Sequence, residues 1–310
     1  MPALDCSTTH IVKHCKKIAS NNSNVTIKVF DEAKLRKMKA GGILAVGKGS
    51  KTPSYLVKLV YKPKNIKTKK VVSLVGKGVT FDTGGYSIKS SNGMLSMKAD
   101  MSGAGAVIGA MSAIAKLKPK IEVRAYVPLV ENMINGEAVR PSDVIRSANG
   151  KTIEIINTDA EGRLILADSL YFAEKDGADY IVDVASLAGS SVVALGNKYG
   201  PIYSNDTKLA EKLIKAGSRS SEGFWRMPLV KEYRSDLVSD TADLRNLGRS
   251  RDGDSIKSAL FLSNFVDKAP WAHLDIAGLF FAKSNEGHVV KGATAAGVGT
   301  LVRFVEDLSS

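Results

Sequence analysis

The octapeptide NTDAEGRL, residues 157–164, places three charged side chains at the junction between an apolar β-branched run and a segment with helical periodicity. Asp159, Glu161 and Arg163 stand at alternating positions beside that run, where charged groups are rarely found without a partner. The simplest interpretation is a helix N-terminus, because acidic residues there favour the helix dipole and aspartate caps the first turn. A second charged group between positions 77 and 100 favours a shared functional site instead.

Apolar strands and helical segments alternate along the chain. The patterns predict strands at 25–30, 55–61, 71–75, 121–128, 153–156, 180–185 and 272–276, and helices at 8–22, 31–38, 100–116, 163–174, 208–216 and 255–266. This alternation predicts an α/β fold, a three-layer α/β/α sandwich around a mixed, mostly parallel sheet. With 310 residues and 44% hydrophobic composition, the chain has enough apolar surface for such a core. Gly41 and Gly42 are expected to end the helix at 31–38, and the glycine-rich charged segment 245–254 is expected to be a mobile loop.

The positive charge of the chain is concentrated near its N-terminus. Residues 1–70 carry 16 basic and three acidic side chains, which accounts for the net charge of +13, whereas residues 71–310 carry 28 of each. A basic segment on a neutral body can contact nucleic acid, an anionic membrane surface or an acidic partner domain. The lysines lack the interleaved aromatic residues of nucleic-acid-binding surfaces and are spread over helix, strand and loop. This distribution favours a solvated or partner-facing surface over polyanion binding.

The sequence indicates neither a membrane anchor nor a disulfide framework. No apolar run reaches the roughly 18 residues that a membrane-spanning helix requires, and the first 20 residues lack the apolar core of a signal peptide. The two cysteines, Cys6 and Cys15, are predicted to be free thiols. A cytoplasmic location is therefore expected.

The upstream charged group begins directly after the apolar strand predicted at 71–75. Its first part, GKGVTFDTGGYSIK at 76–89, is rich in glycine and contains Asp82, and its second part, MKADM at 97–101, contains Asp100. Open α/β sheets bind ligands beyond the carboxyl ends of their strands, where these residues are expected to lie. Together with the two carboxylates of the octapeptide, such a site gathers four negative charges. Their mutual repulsion requires raised pKa values or bound cations, and two divalent metal ions would satisfy it.

The residue types in the two clusters limit the choice of metal. Histidine-rich zinc motifs such as HExxH are excluded, because none of the four histidines stands in the clusters: His10, His14, His273 and His288. Carboxylates suit magnesium or manganese, although zinc also accepts them. Lys77 adds an amine, and a lysine held among cations is pushed toward its neutral form, which can ligate zinc, cobalt or manganese.

Four segments resemble the signatures of the leucine (cytosol) aminopeptidase family of dinuclear metallo-exopeptidases: GKGVTFDTGG, IK at 88–89, MKADM and NTDAEGRL. Further matches are ENM at 131–133, RPSDV at 140–144 and WAHLDIAG at 271–278. The similarity extends from about residue 43 to the C-terminus, and residues 1–22 show little of it. The resemblance implies a single metallo-aminopeptidase catalytic domain over residues 1–310, without the macro-like N-terminal domain usual in the family, that assembles as a homo-hexamer.

The resemblance also implies a role for the charged residues of the two clusters. The expected ligands of two zinc, manganese or cobalt ions are Lys77, Asp82, Asp100, Asp159 and Glu161, with Asp82 and Glu161 bridging and the Asp159 carbonyl as a further donor. In the family, a hydroxide that bridges the metals attacks the scissile carbonyl of a peptide. Lys89 is expected to stabilise the oxyanion, and Arg163 is expected to hold a bicarbonate ion that acts as the general base.

By the same resemblance, the pocket for the N-terminal side chain of the substrate is expected to be lined by Met97, Asn157, Ser186, Leu187 and Gly189. The chain reads ASLAG at 185–189, where the family usually has Ala-Thr-Leu-Thr-Gly. Two threonine side chains are thus replaced by smaller ones, which changes the shape of the pocket. Release of large apolar residues such as leucine therefore has weaker support than aminopeptidase activity itself.

Two alternatives stay open for the function. One is a narrow-specificity dipeptidase, such as a cysteinylglycinase, and the other is a non-catalytic relative that binds nucleic acid through the basic segment 1–70. Simple structural roles are also conceivable for individual residues: Lys77 neutralising Asp82, Lys98, Glu154 and Asp168 facing solvent, and His273 as a core histidine.

Overall fold

The computed structural model describes residues 1–287 and 289–309. The strands are β1 Val25–Phe30, β2 Tyr55–Tyr61, β3 Val71–Gly76, β4 Gly78–Asp82, β5 Glu122–Asn132, β6 Val144–Arg146, β7 Thr152–Glu154, β8 Tyr180–Ala185, β9 Tyr199–Ser204, β10 Gly223–Arg226, β11 Leu244–Arg245, β12 Trp271–Asp275, β13 Phe281–Ala282 and β14 Gly292–Ala293. The helices are α1 Thr8–Ser20, α2 Glu32–Lys37, α3 Gly41–Gly47, α4 Ser91–Met94, α5 Ser102–Leu117, α6 Gly162–Lys175, α7 Gly189–Leu195, α8 Thr207–Arg219, α9 Asp254–Leu262 and α10 Val298–Ser309. Short 3-10 turns occupy Met97–Ala99, Lys231–Leu237 and Ser263–Phe265.

A nine-stranded sheet forms the middle of the fold, in the order β1-β2-β5-β3-β8-β12-β9-β10 with β4 beside β5. The central strands β5, β3, β8 and β12 are parallel. On one side β2 and β1 are antiparallel to their neighbours, and on the other side β9 is antiparallel to β12. The predicted mixed, mostly parallel sheet is confirmed.

Each face of the sheet is covered by helices over its own apolar core. Helices α1, α5, α8 and α10 contribute to one core, and helices α3, α6 and α9 contribute to the other. The apolar residues of the strands divide between the two cores because successive side chains of a strand point to opposite faces. The arrangement is the α/β sandwich that the sequence predicts.

Glycines allow helix α5 to approach the sheet closely. A Cβ atom at Gly103 would lie 2.1 Å from the carbonyl oxygen of Val184, and one at Gly76 would lie 2.6 Å from the carbonyl oxygen of Gly103. No side chain fits at such distances. Helix α5 can therefore pack this closely on the ends of β3 and β8 only because both of these positions are glycine. This packing brings Asp100, two residues before the helix, to the carboxyl edge of the parallel strands.

Several elements differ from the prediction. The strand predicted at 153–156 is β7, which pairs with β6 and β11 in a separate three-stranded sheet. Gly41 and Gly42 begin α3 rather than ending α2, and a Cβ atom at Gly42 would lie 2.2 Å from the carbonyl oxygen of Leu164. Close packing therefore explains the glycine there. The pattern also missed α7, β9 and α10, and in β9 Gly200 and Pro201 interrupt the apolar run.

The termini and thiols agree with the sequence in part. Cys6 and Cys15 are free cysteines, as predicted. Within the described ranges, no helix is both long and apolar enough to cross a membrane. Segment 245–254 runs irregularly from β11 to the start of α9, and its expected mobility stays a prediction.

The sequence predicted that Asp168 and Glu154 both face solvent, but the two side chains differ in burial. Asp168 on α6 is fully buried, which corrects the prediction that it faces solvent. Its two carboxylate oxygens accept the backbone N–H groups of Ile43, at 2.9 Å, and Ala148, at 2.7 Å, so the side chain joins α3 and the β6–β7 hairpin to α6. Glu154 is half-buried and accepts the hydroxyl of Ser239 at 2.6 Å. Lys98 is exposed, as predicted.

The burial of Asp168 makes stability depend on pH. Burial raises the pKa of Asp168 to about 7, although its backbone donors act in the opposite direction. An acid whose pKa rises on folding holds its proton more tightly in the folded state, so the free energy of unfolding falls as pH rises from about 4 to about 7, by roughly 2–4 kcal/mol. Urea unfolding of the chelator-treated protein at pH 5 and pH 7.5 measures this fall. Asp168→Asn has no charge to titrate and should show a smaller fall, and equal falls in both proteins would contradict the prediction.

Candidate metal centre

The five predicted metal ligands converge at the carboxyl edge of the parallel strands. Lys77 follows β3, Asp82 ends β4, and Asp100 follows the 3-10 turn before α5. Asp159 and Glu161 belong to the segment that links β7 to α6, which we call the acidic turn, residues 156–161. Four of the five side chains are buried, and that of Asp159 is 33% exposed. The two clusters of the sequence therefore form one site.

Lys77 lies at the buried end of this site. Its ammonium is 2.8 Å from a carboxylate oxygen of Asp100 and 2.8 Å from one of Glu161, and it donates to the Ser186 carbonyl at 3.0 Å. It pairs with these two residues and not, as one simple interpretation had it, with Asp82 alone. Burial by itself lowers the pKa of Lys77, but the neighbouring carboxylates outweigh burial and hold the pKa above its ordinary value. Bound cations would reverse that balance, because they repel the ammonium.

Lys89 occupies the more open side of the site. Its ammonium is 2.9 Å from Asp82 and also forms an ion pair with Asp159, and its side chain is 17% exposed. Burial lowers the pKa of Lys89, but the two carboxylates raise it above its ordinary value. Lys89 thus carries a positive charge at the solvent-facing side of the cluster.

The carboxylates form a cluster suited to cations. Asp82, Asp159 and Glu161 each offer an oxygen atom, and these oxygens all lie within 4.8 Å of one another. Burial raises the pKa of Asp159 to about 6, and burial also raises the pKa of Asp100 well above its ordinary value despite the lowering effect of Lys77. Divalent cations relieve this cost of gathering buried carboxylates. The residues present, several carboxylates and one amine, fit zinc, manganese or cobalt.

Backbone and amide groups fix Asp82. One of its oxygens accepts the N–H of Gly84 at 2.9 Å and the Asn132 side-chain amide at 2.8 Å. Gly84 and Gly85 have φ values of +86° and +64°, which glycine adopts without strain. Asn132 also donates to the carbonyl of Thr158 at 3.1 Å and so joins Asp82 to the acidic turn. The sequence predicted no role for Asn132, although it lies in the matched segment ENM.

Gly162 is required by the position of Lys77. A Cβ atom at Gly162 would lie 2.4 Å from Cε and 2.7 Å from Nζ of Lys77. The first residue of α6 therefore has to be glycine if the lysine is to reach its two carboxylates. This contact explains the glycine of the octapeptide.

Arg163 is buried behind the acidic turn. Its guanidinium donates to the carbonyl of Asn246 at 2.6 Å and to the hydroxyl of Ser258 at 2.7 Å. Burial lowers the pKa of Arg163, though guanidinium groups stay protonated in proteins. Within the part of the chain that the structure describes, its buried Nε has no hydrogen-bond partner. The side chain is thus held in place by two hydrogen bonds, and its Nε–H is left without a partner.

The residues expected to line a substrate pocket lie on several different elements. Ser186 donates its hydroxyl to Asp100 at 2.8 Å, and the Asn157 side chain accepts the N–H of Asp159 at 2.7 Å. Leu187 donates its N–H to Asp275 at 3.1 Å, while Met97 begins a 3-10 turn and Gly189 begins α7. Ser186 and Asn157 thus contact predicted ligands directly. Contact of these residues with a substrate stays a prediction.

The histidines lie outside the cluster where they are described. His273 in β12 is buried, with Nδ1 2.5 Å from Asp183, and Asp183 also accepts the indole N–H of Trp271 at 2.7 Å. Burial lowers the pKa of His273, but Asp183 outweighs burial and raises it. This buried pair agrees with the predicted core histidine. His288 lies outside the described residues.

Comparison with known proteins gives concordant matches. A family model described as "Cytosol aminopeptidase family, catalytic domain" matches residues 1–302. Probable cytosol aminopeptidases of Gloeobacter violaceus, Synechococcus sp. (strain JA-3-3Ab) and Chlorobaculum tepidum are 43%, 48% and 47% identical over 98%, 90% and 94% of this chain. The chain spans 60%, 55% and 58% of the lengths of these relatives. Since the family match begins at residue 1, the prediction that residues 1–22 show little similarity is wrong.

Proposed function

The chain belongs to the cytosol aminopeptidase family, and on that premise we propose that it is a dinuclear metal-dependent aminopeptidase that releases N-terminal residues from peptides. The observation that carries this proposal is the convergence of three carboxylate oxygens within 4.8 Å beside a buried lysine. Residues 1–310 would form its catalytic domain. The substrates that we expect are peptides whose N-terminal residue is large and apolar, such as leucine.

We infer that two zinc, manganese or cobalt ions are held by the five converging side chains. Asp82, Asp159 and Glu161 would hold them through the three oxygens that lie within 4.8 Å of one another, and Lys77 and Asp100 would complete the set of ligands. When bound, such ions lower the pKa of a water molecule and polarise the scissile carbonyl. Ser186 and Asn132 would orient Asp100 and Asp82 through the hydrogen bonds described above.

Lys89 and Arg163 would supply positive charge to the reaction. Lys89 is partly exposed and charged, so it is suited to stabilise the oxyanion that develops on the substrate carbonyl. Arg163 stays charged and has a free Nε donor, so it is suited to hold a bicarbonate ion that serves as general base. Met97, Asn157, Ser186, Leu187 and Gly189 would border the side chain of the residue released.

The remaining features of the proposal concern the setting of the enzyme. We infer a cytoplasmic protein that assembles as a homo-hexamer and acts on peptides. The basic segment 1–70 would form a solvated or partner-facing surface, and nucleic-acid binding is not favoured.

The proposal is tested by loading chelator-stripped protein with manganese, zinc or cobalt. Metal content per chain is measured together with release of amine from a panel of aminoacyl amides, dipeptides and longer peptides. Two metals per chain and release from all three substrate classes are expected. Two bound metals without any release would contradict the proposal, and release from dipeptides such as cysteinylglycine alone would favour the narrow dipeptidase. Salt-dependent binding of duplex DNA that Asp159→Ala leaves unchanged would favour the nucleic-acid-binding alternative.

Lys89→Met should lower kcat by about 10²- to 10³-fold, the usual cost of losing one oxyanion donor. The substitution keeps the length of the side chain and removes its charge, and it leaves all five proposed ligands in place. Metal content per chain should therefore stay at the wild-type value. Lys98→Met serves as the control, because Lys98 is exposed and forms no part of the cluster. An unchanged kcat in Lys89→Met would remove Lys89 from the reaction.

A further inference from the structure

Asn246 directly follows β11, and its fully buried carboxamide lies against the acidic turn. Strand β11 pairs in parallel with β7, with Leu244 opposite Ile153 and Arg245 opposite Glu154. The next residue continues the ladder, since the N–H of Asn246 donates to the Glu154 carbonyl at 3.0 Å. Pairing of these two short strands thus fixes where the Asn246 side chain lies.

The side chain of Asn246 binds the backbone of the acidic turn at four points. Its Oδ1 accepts the N–H groups of Ile156, at 2.7 Å, and Asn157, at 3.3 Å. Its Nδ2 donates to the carbonyls of Asn157, at 2.7 Å, and Ala160, at 3.4 Å. These residues flank Asp159 and directly precede Glu161, so one amide spans the part of the turn that carries both carboxylates.

The backbone of Asn246 binds the other charged residue of the octapeptide. Its carbonyl accepts the guanidinium N–H of Arg163 at 2.6 Å. Asn246 therefore contacts both the turn before α6 and the first turn of α6 itself. Its carboxamide makes no hydrogen bond to a proposed metal-binding side chain, so any influence on metals would pass through the backbone.

We propose that Asn246 is a positioning residue that holds the acidic turn in its metal-binding conformation and thereby sets the metal affinity of the site. The inference rests on the proposed function, because it takes Asp159 and Glu161 as ligands. Metal sites lose affinity when their outer partners are removed, typically about 10- to 100-fold. Loss of the Asn246 carboxamide would leave the N–H groups of Ile156 and Asn157 and the carbonyl of Ala160 without this partner, whereas the Asn157 carbonyl would keep the N–H of Ala160.

The test compares Asn246→Ala and the isosteric Asn246→Asp with Asn205→Ala. Asn205 is the control, because its carboxamide also accepts a backbone N–H, that of Trp271, and donates to a backbone carbonyl, that of Ala269, but in an exposed position at the amino end of β12. Manganese and zinc affinities are measured by competition with a chelator in each variant of residues 1–310. Hydrogen exchange of the peptide spanning 153–163 is followed in the metal-free proteins, and urea unfolding gives the stability of each variant.

Both Asn246 variants should bind metal about 10- to 100-fold more weakly and exchange faster over 153–163. Asn205→Ala should lose stability while keeping metal affinity within about twofold of wild type. Folded Asn246 variants with wild-type metal affinity would overturn the inference, as would an equal loss of affinity in Asn205→Ala. A wild-type protein that binds no metal would instead overturn the proposed function, so the two failures are distinguishable.

Discussion

Glu161→Gln is expected to lower kcat/KM by at least about 10³-fold, because on the proposed function it removes a ligand from a site whose ions would supply several kcal/mol of transition-state stabilisation. Glu161 is 2% exposed, lies 2.8 Å from the Lys77 ammonium, and shares the carboxylate cluster with Asp82 and Asp159. Glutamine keeps the shape of the side chain but removes the charge that the two proposed metals would require. Elemental analysis should find fewer than two metals per chain.

Glu154→Gln is the control, because it removes a carboxylate that is not among the proposed ligands. Glu154 lies in β7, seven residues before Glu161. Its side chain is half-buried and accepts a hydrogen bond from Ser239. Glu154→Gln should keep both metals and nearly all activity. Retention of two metals and full activity in Glu161→Gln would disprove its proposed role.

Gly162→Ala is expected to lower kcat/KM by about 10²-fold or more, since displacement of a site group by about 1 Å has that effect. The added methyl group would lie 2.4 Å from Lys77 Cε, in a buried pocket where Lys77 is already bound on three sides. Overpacking of this kind also costs about 1–3 kcal/mol of stability. Steady-state kinetics, metal titration and urea unfolding measure the three effects.

Gly105→Ala is the matched control for a helical glycine. Gly105 lies within α5, and the nearest atom to its added Cβ would be Met101 Cε at 3.9 Å. Alanine favours a helix by about 0.5–1 kcal/mol over glycine, so this variant should be as stable as wild type or more so. Its kinetics should be unchanged. Equal behaviour of the two alanine variants would show that space beside Lys77 does not matter.

The convergence of the charged side chains was predictable because they stand in a few short stretches of the sequence. The octapeptide holds Asp159 and Glu161, the glycine-rich segment after β3 holds Lys77 and Asp82, and the stretch MKADM before α5 holds Asp100, so local pattern identified all five converging side chains. Asn246 had no such signal. Its role depends on the pairing of β11 with β7, about ninety residues apart, and nothing near Asn246 in sequence indicates which backbone it will meet.

The fold was predictable where an element buries its own apolar pattern. Strands β1, β2 and β8 have the predicted bounds because their apolar residues face the two cores. A β-branched run such as that of β7 looks the same in a central sheet and in a small separate one, so its partners could not be predicted. Asp168 was misread because aspartate on a helix is usually solvated, and its burial depends on two backbone donors from distant segments.

The crowding around Lys77 also limits how the site can be redesigned. On that side a Cβ added at Gly76, Gly103 or Gly162 would lie 2.6, 2.1 or 2.4 Å from backbone or lysine atoms. No larger residue therefore fits at these three positions. The side bounded by Lys89 and Asp159, 17% and 33% exposed, has room for larger or differently charged groups. A library that seeks a new metal preference should therefore vary the open side and leave the three glycines fixed.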